Sequence, residues 1–233
     1  MIAALPPLAP LAGAALLLAF GRSPGARAPI AVASLLVALA LGGWAAATEA
    51  DLAWNWSPAI ETGLAVEGFS RVMVVLVPAI AAPIVLYAAA TESDGQLRLL
   101  TLMLAFTGAM VLLVSAADFL MLLVAWELVG ATSWALIGHG WRDPHNGTAA
   151  AQAFITTRLG DLGLYIAAGM LFASTGSFNF AGVASASGWE ADVLAAGVLL
   201  AAAAKSAQVP FSPWLFAAMA GPTPVSALLH SAT

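Results

Sequence analysis

Five ionisable side chains stand in stretches that are otherwise almost wholly apolar: Glu127, Arg158, Asp161, Lys205 and His230. Lys205 is the only lysine in the 233-residue chain; a charge-free run from Val193 to Ala204 precedes it, and no charged residue follows it. A carboxylate, an amine and an imidazole are groups that can take up and release protons. Burial disfavours the charged form of an acid or an amine, whereas proximity of the two favours both charges. A Glu127–Lys205 pair would therefore act as a switch: close together both stay charged, and apart the amine can give up its proton. The plainer alternative is a structural ion pair between the two that only fixes helix packing. Arg158 and Asp161 are three residues apart and share a helix face, so they could be an intrahelical salt bridge or polar support for the same chemistry. His230 follows Pro222 and Pro224 and could either relay protons or be a hydrogen-bonded core histidine. His139 and His145 flank the loop "GWRDPHNG" and receive no chemical role. Trp126, Trp134, Trp141 and Trp214 read as packing and interface anchors.

No other chemistry is legible. The chain has no cysteine, hence no disulfide framework, thiolate metal site or cysteine-bound iron–sulfur cluster. It has no dinucleotide fingerprint after a strand, no phosphate-binding loop, no metal-ligand spacing and no nucleophile–base arrangement. The expected cofactor content of this chain is therefore none, and the expected activity is movement of an ion with energy supplied from elsewhere.

The elements that must position these residues follow from composition. The chain is 62% hydrophobic and 8% charged, with a mean hydropathy of +0.96, against about a quarter charged residues in soluble domains. Such a chain belongs in a lipid bilayer. Its formal net charge of -5 argues against a nucleic-acid partner. The N-terminus lacks a basic region and a cleavage site, so its apolar run is expected to be a retained helix. With about 20 apolar residues per span, the sequence predicts an all-α, polytopic transmembrane bundle. Spans fall near 2–20, 29–47, 69–91, 97–115, 117–138, 148–174 and 190–219, and the start of an eighth lies near Pro224. Pro210 and Pro213 should break the seventh span, since proline removes a backbone donor and clashes with the preceding turn. Broken helices at membrane depth are tolerated where protein or water satisfies the freed groups, and they mark transport sites. Asp118 should sit near the outer end of the fifth span. Glu127, nine residues on, then lies about 14 Å deep, near the centre of a core of roughly 30 Å.

Arginine position sets orientation. Arg22, Arg27, Arg98 and Arg142 all fall on one side if the N-terminus is outside. The loop 48–68 then faces out with Glu49, Asp51, Glu61 and Glu67, and Arg71 is expected to pair with Glu67. The "NGT" at 146–148 has the glycosylation pattern but falls on the inner side and is discounted.

Two stretches carry a family resemblance: "DFLMLLVAWELVGATSWALIGHGWRDPHNGTAAAQAFITTRLGDLGLY" (118–165) and "KSAQVPFSPWLFAAMAGPTPVSALLHSAT" (205–233). They resemble the antiporter-like proton-pumping subunits of respiratory complex I, the subunit L or subunit 5 family of NADH-quinone oxidoreductase. "LPPLAPLAGAALLLAFGR" and "VEGFSRVM" fit the same family more loosely. Related sequences occur in Mrp-type antiporters and membrane-bound hydrogenases. The resemblance implies that Glu127 is the glutamate of the "WE" motif, Lys205 the lysine of "KSAQ" on the broken helix, and His230 the histidine before "SAT". Arg158 and Asp161 match the supporting "TRLGD" segment. The chain departs from many bacterial members at Ser212, Ala217 and Ala220, where they carry a histidine and acidic residues.

The resemblance also implies division of the chain into helices 1–3 with their outer loop (1–95) and an incomplete first antiporter-like repeat (96–233), so that the chain is expected to be an N-terminal fragment. It implies protons moving along a Glu–Lys–His axis, driven by quinone reduction elsewhere, with quinone and NADH handled by other subunits. The implied partners are other membrane-arm subunits and the lipid bilayer, and the implied location is a bacterial plasma membrane, with the mitochondrial inner membrane as the lesser alternative. A Mrp-type Na+/H+ antiporter subunit, a hydrogenase antiporter-like subunit and a purely structural segment stay open as alternatives.

Overall fold

The computed structural model describes residues 1–58 and 60–232. Ala59, in the expected outer loop, and Thr233, the last residue of the "HSAT" motif, lie outside the described residues. After a short 3-10 turn come α1 (Leu5–Phe20), α2 (Pro24–Ala47), β1 (Asp51–Ser57), β2 (Ile60–Ala65), α3 (Ser70–Thr91), α4 (Gln96–Val114), α5 (Phe119–Ile137), α6 (Pro144–Thr175), α7 (Trp189–Lys205), α8 (Pro213–Ala218) and α9 (Thr223–Ala232). The result is a helical membrane bundle, as the composition requires. The segments Ile2–Phe20, Pro24–Ala47, Ser70–Thr91, Gln96–Val114 and Phe119–Gly140 are long and apolar enough to cross a bilayer. That is five among the described residues, where the hydropathy reading expects seven. α6 is 32 residues long but opens on a polar turn and carries Arg158 and Asp161. α7, at 17 residues, falls short of about 20.

The all-α expectation misses one element. Segment 48–68 contains an antiparallel hairpin in which Asp51 faces Ala65 and Trp54 faces Thr62, with an irregularity between Asn55 and Ser57. Its first strand alternates exposure almost residue by residue, the period of a strand with one face covered. Gly63 is required there, because a Cβ would lie 2.5 Å from the Leu52 carbonyl oxygen. The hairpin is tied to the α4–α5 junction: Ala65 N–H donates to Ser115 O at 2.8 Å and Ala117 N–H to Gly63 O at 3.1 Å. Arg71 also differs from expectation. It pairs with Glu49 at 2.5 Å, not with Glu67, because Glu67 sits in the turn where Ser70 accepts from its backbone N–H.

The apolar core has two parts. Leu17, Leu35, Leu99, Met103, Leu104 and Phe106 form the centre of one, among α1 to α4. Phe119, Leu123, Leu164, Leu171 and Leu194 form the other, where α5, α6 and α7 meet. Trp126 packs against the second, whereas α9, which carries His230, packs with the first.

The stretch expected as a seventh span is interrupted where the prolines predict. α7 ends at Lys205 and α8 begins at Pro213. A terminated helix leaves carbonyls without partners. Here Gln208 N–H donates to Ala203 O at 2.8 Å, and the Trp214 indole N–H donates to Ala204 O at 2.8 Å. Trp214 is thus a cap for the break as well as a packing residue.

Candidate functional site

Three helices build the site. α6 and α7 cross with their backbones nearly touching, because the crossing is made of glycines. A Cβ on Gly163 would lie 2.5 Å from Gly197 O, and one on Gly197 or Gly160 would collide with Gly163 O or the Ala204 Cβ respectively. Small residues at helix interfaces permit this approach in membranes. It draws Lys205, at the last turn of α7, against the polar face of α6. α5 closes the third side with Trp126, Glu127 and Gly130.

Glu127 receives two donors from α6. Arg158 Nη1 is ion-paired with its Oε2, and the Tyr165 hydroxyl donates to its Oε1 at 2.8 Å. Both charged side chains are partly open, with exposures of 28% for Glu127 and 30% for Arg158. The Arg158 guanidinium also lies 4.7 Å over the Phe154 ring. Asp161 is more deeply placed, its side chain 3% exposed, and its Oδ2 is 3.9 Å from Arg158 Nη1. Its principal partner is the Trp126 indole N–H, which donates to Oδ1 at 2.5 Å.

Lys205 is held differently. Its Nζ lies 5.3 Å from the Trp126 ring centroid, within the range of a cation–π contact. Among the described residues it makes no ion pair and no hydrogen bond through its amine. A Cβ on Gly130 would sit 3.8 Å from Lys205 Nζ and 3.9 Å from Arg158 Nη2. The two cations therefore flank one point of α5, a single turn past Glu127. The expected direct Glu127–Lys205 pair is not formed. Arg158 occupies the carboxylate instead, since it projects from the α6 face that meets α5 and offers a fork of donors suited to a carboxylate. The intrahelical Arg158–Asp161 pair is correspondingly long.

Lys205 lines two cavities. One, of about 30 Å³, also borders Gly130, Ser133 and Thr157, enough room for a water molecule beside polar groups. The other, of about 320 Å³, is shared with Ser206, Trp214 and His230. His230 on α9 is exposed, and its imidazole forms no hydrogen bond or ion pair among the described residues. The fold thus brings Glu127, Arg158, Asp161 and Lys205 into one cluster and sets His230 across a cavity from it.

Two members of the cluster were not singled out by sequence reasoning. Tyr165 could have been: 158, 161 and 165 are spaced i, i+3, i+7, one helix face. Trp126 could not, because nothing in a tryptophan next to a glutamate says that its N–H reaches another helix.

The family described as NADH:quinone oxidoreductase/Mrp antiporter, TM, matches residues 116–233. NADH-quinone oxidoreductase subunit L of Mycobacterium tuberculosis is 37% identical over 96% of this chain and 39% of the relative. Subunit L of Escherichia coli is 38% identical over 77% of this chain and 32% of the relative. Among solved structures, a chain of the Mrp complex from Dietzia sp. DQ12-45-1b superposes with a TM-score of 0.87 and 28% identity, covering 99% of this chain and 26% of that one. The chain spans about two fifths or less of the length of these proteins. The matched segment contains every residue of the cluster, and the chain belongs to the NADH:quinone oxidoreductase/Mrp antiporter transmembrane family.

Proposed function

We propose that the chain is part of a proton-translocating, antiporter-like subunit of an NADH:quinone oxidoreductase. Protons pass through the cluster of Glu127, Arg158, Asp161 and Lys205, with His230 as the next station. The observation that carries this reading is the unequal pairing inside the cluster. Glu127 is held by Arg158 and Tyr165, while Lys205, with no carboxylate in contact, borders two cavities. Ionisable residues at membrane depth are costly and functional by default. In the arrangement seen, Arg158 satisfies Glu127, and the amine is the group free to exchange a proton with the cavities. Rotation of Glu127 from Arg158 toward Lys205 would hold the ammonium in place; Asp161 and Trp126 keep the amine within reach in both arrangements. Quinone and NADH are assigned to other subunits, as are the energy input and the remaining membrane-arm contacts.

The finer layout belongs to the same proposal. α6 and the α7–α8 pair complete seven spans, α9 starts an eighth, and 96–233 forms the working repeat. The N-terminus and hairpin face outside a bacterial plasma membrane. Orientation is checked on the cysteine-free background: a cysteine replacing Ser57 should react with an impermeant thiol reagent and one replacing Asn146 should not, and the reverse pattern overturns it.

Lys205→Arg in the assembled complex, reconstituted in vesicles, tests the central claim. Arginine keeps the charge but does not release a proton readily, so gradient formation should fall at least about tenfold, as it should in Lys205→Ala. Near-normal pumping by the arginine variant would make the lysine a strut. A second reading, a Mrp-type cation/proton antiporter subunit, is favoured by the Dietzia structural match. Sodium-dependent proton movement in the same vesicles, without quinone turnover, would select it.

A further inference from the structure

At the bundle end opposite the hairpin, three arginines from separate parts of the chain meet at one cleft of about 760 Å³. Arg27 comes from the first turn of α2, Arg98 from the first turn of α4, and Arg142 from the α5–α6 turn. Each is positioned by neutral groups. Arg27 Nε donates to Gly21 O at 2.8 Å and its Nη1 to Gln96 Oε1 at 3.3 Å. Arg98 donates to the His139 carbonyl. The Arg142 guanidinium lies 4.7 Å over the Trp141 ring. Among the described residues the ion pairs involve Arg71 and Arg158 and none of these three. One acidic residue, Asp94, lines the cleft, and Asp143 beside it is occupied in capping the His145 N–H at 2.9 Å. The cleft therefore carries three preset cations against one carboxylate, with guanidinium donors unused.

Besides the neutral polar groups Ser93, Gln96 and Thr101, the lining has an apolar side. Leu18, Leu97 and Leu102 form a wall running down α1 and α4 from the arginine rim. Leu18 is 65% exposed and Trp141 58% exposed, an arrangement suited to the boundary between hydrocarbon and headgroups. The site is also rigid: His139 Nε2 lies 3.2 Å from Asp94 O, so the α3–α4 turn is pinned to the end of α5. A soluble anion would use the arginines and leave the leucine wall idle. An anionic phospholipid would use both, and basic pockets between helices at a membrane face suit such headgroups.

We propose that this cleft binds one anionic phospholipid, its phosphodiester between Arg27, Arg98 and Arg142 and an acyl chain along Leu18, Leu97 and Leu102. The lipid would clamp the α1–α2, α3–α4 and α5–α6 connections together at the end of the bundle away from the proton cluster.

Native mass spectrometry of the purified, detergent-solubilised protein tests this, with phosphatidylglycerol as probe and phosphatidylcholine as neutral control. Retention of phosphatidylglycerol should exceed that of phosphatidylcholine and should drop at least about fivefold in the combined R27Q/R98Q/R142Q variant. Arg142→Gln alone, which breaks no side-chain hydrogen bond among the described residues, should lower it measurably, so a folding defect in the triple variant cannot decide the matter. Arg22→Gln, at the same end but outside the cleft lining, should leave it unchanged. Millimolar inorganic phosphate should not displace the lipid. Equal retention in Arg142→Gln and the unsubstituted protein overturns the proposal. So does an equal loss in Arg22→Gln, which would signify diffuse surface attraction, and so does displacement by phosphate, which would signify a free-anion site.

Discussion

Two carboxylates on α5 live by different rules. Asp118, at the start of the helix, accepts from the Met121 N–H at 2.8 Å, the Gly63 N–H at 2.7 Å and the Thr62 hydroxyl at 3.0 Å. Every donor is neutral, and all are held by the helix start or the hairpin, so the charge is fixed in a cradle that a helix N-terminus further favours. Glu127, nine residues on, is held by the ends of two long, rotatable side chains, Arg158 and Tyr165, with a second cation waiting beside Gly130. Asp118 is buried and Glu127 is partly open, yet both are satisfied. On the proposed function, what separates a structural acid from a working one is whether its partners can leave.

The contrast can be broken by exchanging the roles. The largest functional effect should come from Glu127→Gln, which keeps the shape and one acceptor oxygen, turns the other oxygen into an NH2 donor and removes the charge. Vesicle-based proton pumping should fall at least about tenfold, while thermal stability stays within about 1 kcal/mol, as for most changes outside the core. Normal pumping would show that the charge is dispensable. Asp118→Ala should do the opposite. It strands two backbone N–H groups and a hydroxyl, costing about 3 kcal/mol, read as a lower unfolding temperature and faster proteolysis at the hairpin, with pumping per folded molecule nearly unchanged. A stable Asp118→Ala protein that no longer pumps would erase the distinction between the two acids.

Smaller changes sharpen it. Gly163→Ala places a methyl against Gly197 O and should force α6 and α7 apart, at about 1–3 kcal/mol. Cysteine pairs across the crossing should then cross-link more slowly, and pumping should drop because Lys205 is carried away from Trp126 and from the polar face of α6. Unaltered cross-linking would mean the crossing has slack the geometry does not show. The smallest effect belongs to Trp126→Phe. The ring under Lys205 stays and the N–H to Asp161 goes, a loss of about 1 kcal/mol, or roughly fivefold in rate at most. Trp126→Leu, which also removes the ring, should cost more; equal effects of the two would leave the cation–π contact without a role.

Much of the molecule is readable from sequence, for physical reasons. Hydropathy runs reveal helices because a bilayer leaves the backbone few other ways to satisfy itself, and α1 to α5 begin and end within a few residues of expectation. Proline has the same meaning everywhere, so the break after Lys205 was foreseeable from Pro210 and Pro213. The hairpin was not foreseen, because its strands are short, rich in polar and small residues, and stabilised by Ser115 and Ala117, residues some fifty positions away. Glu127, Arg158, Asp161 and Lys205 stood out individually because charges in apolar sequence must have partners. Which partner each takes is a different kind of fact. It depends on glycines that let α6 and α7 touch and on the rotation that aims Arg158, rather than Lys205, at Glu127. Residue types and spacing along the chain determined which groups must be satisfied; only the packing of three helices decided by whom, because separations of a few ångströms between distant segments are set by the volumes of Gly160, Gly163, Gly197 and Gly130 and not by any local pattern.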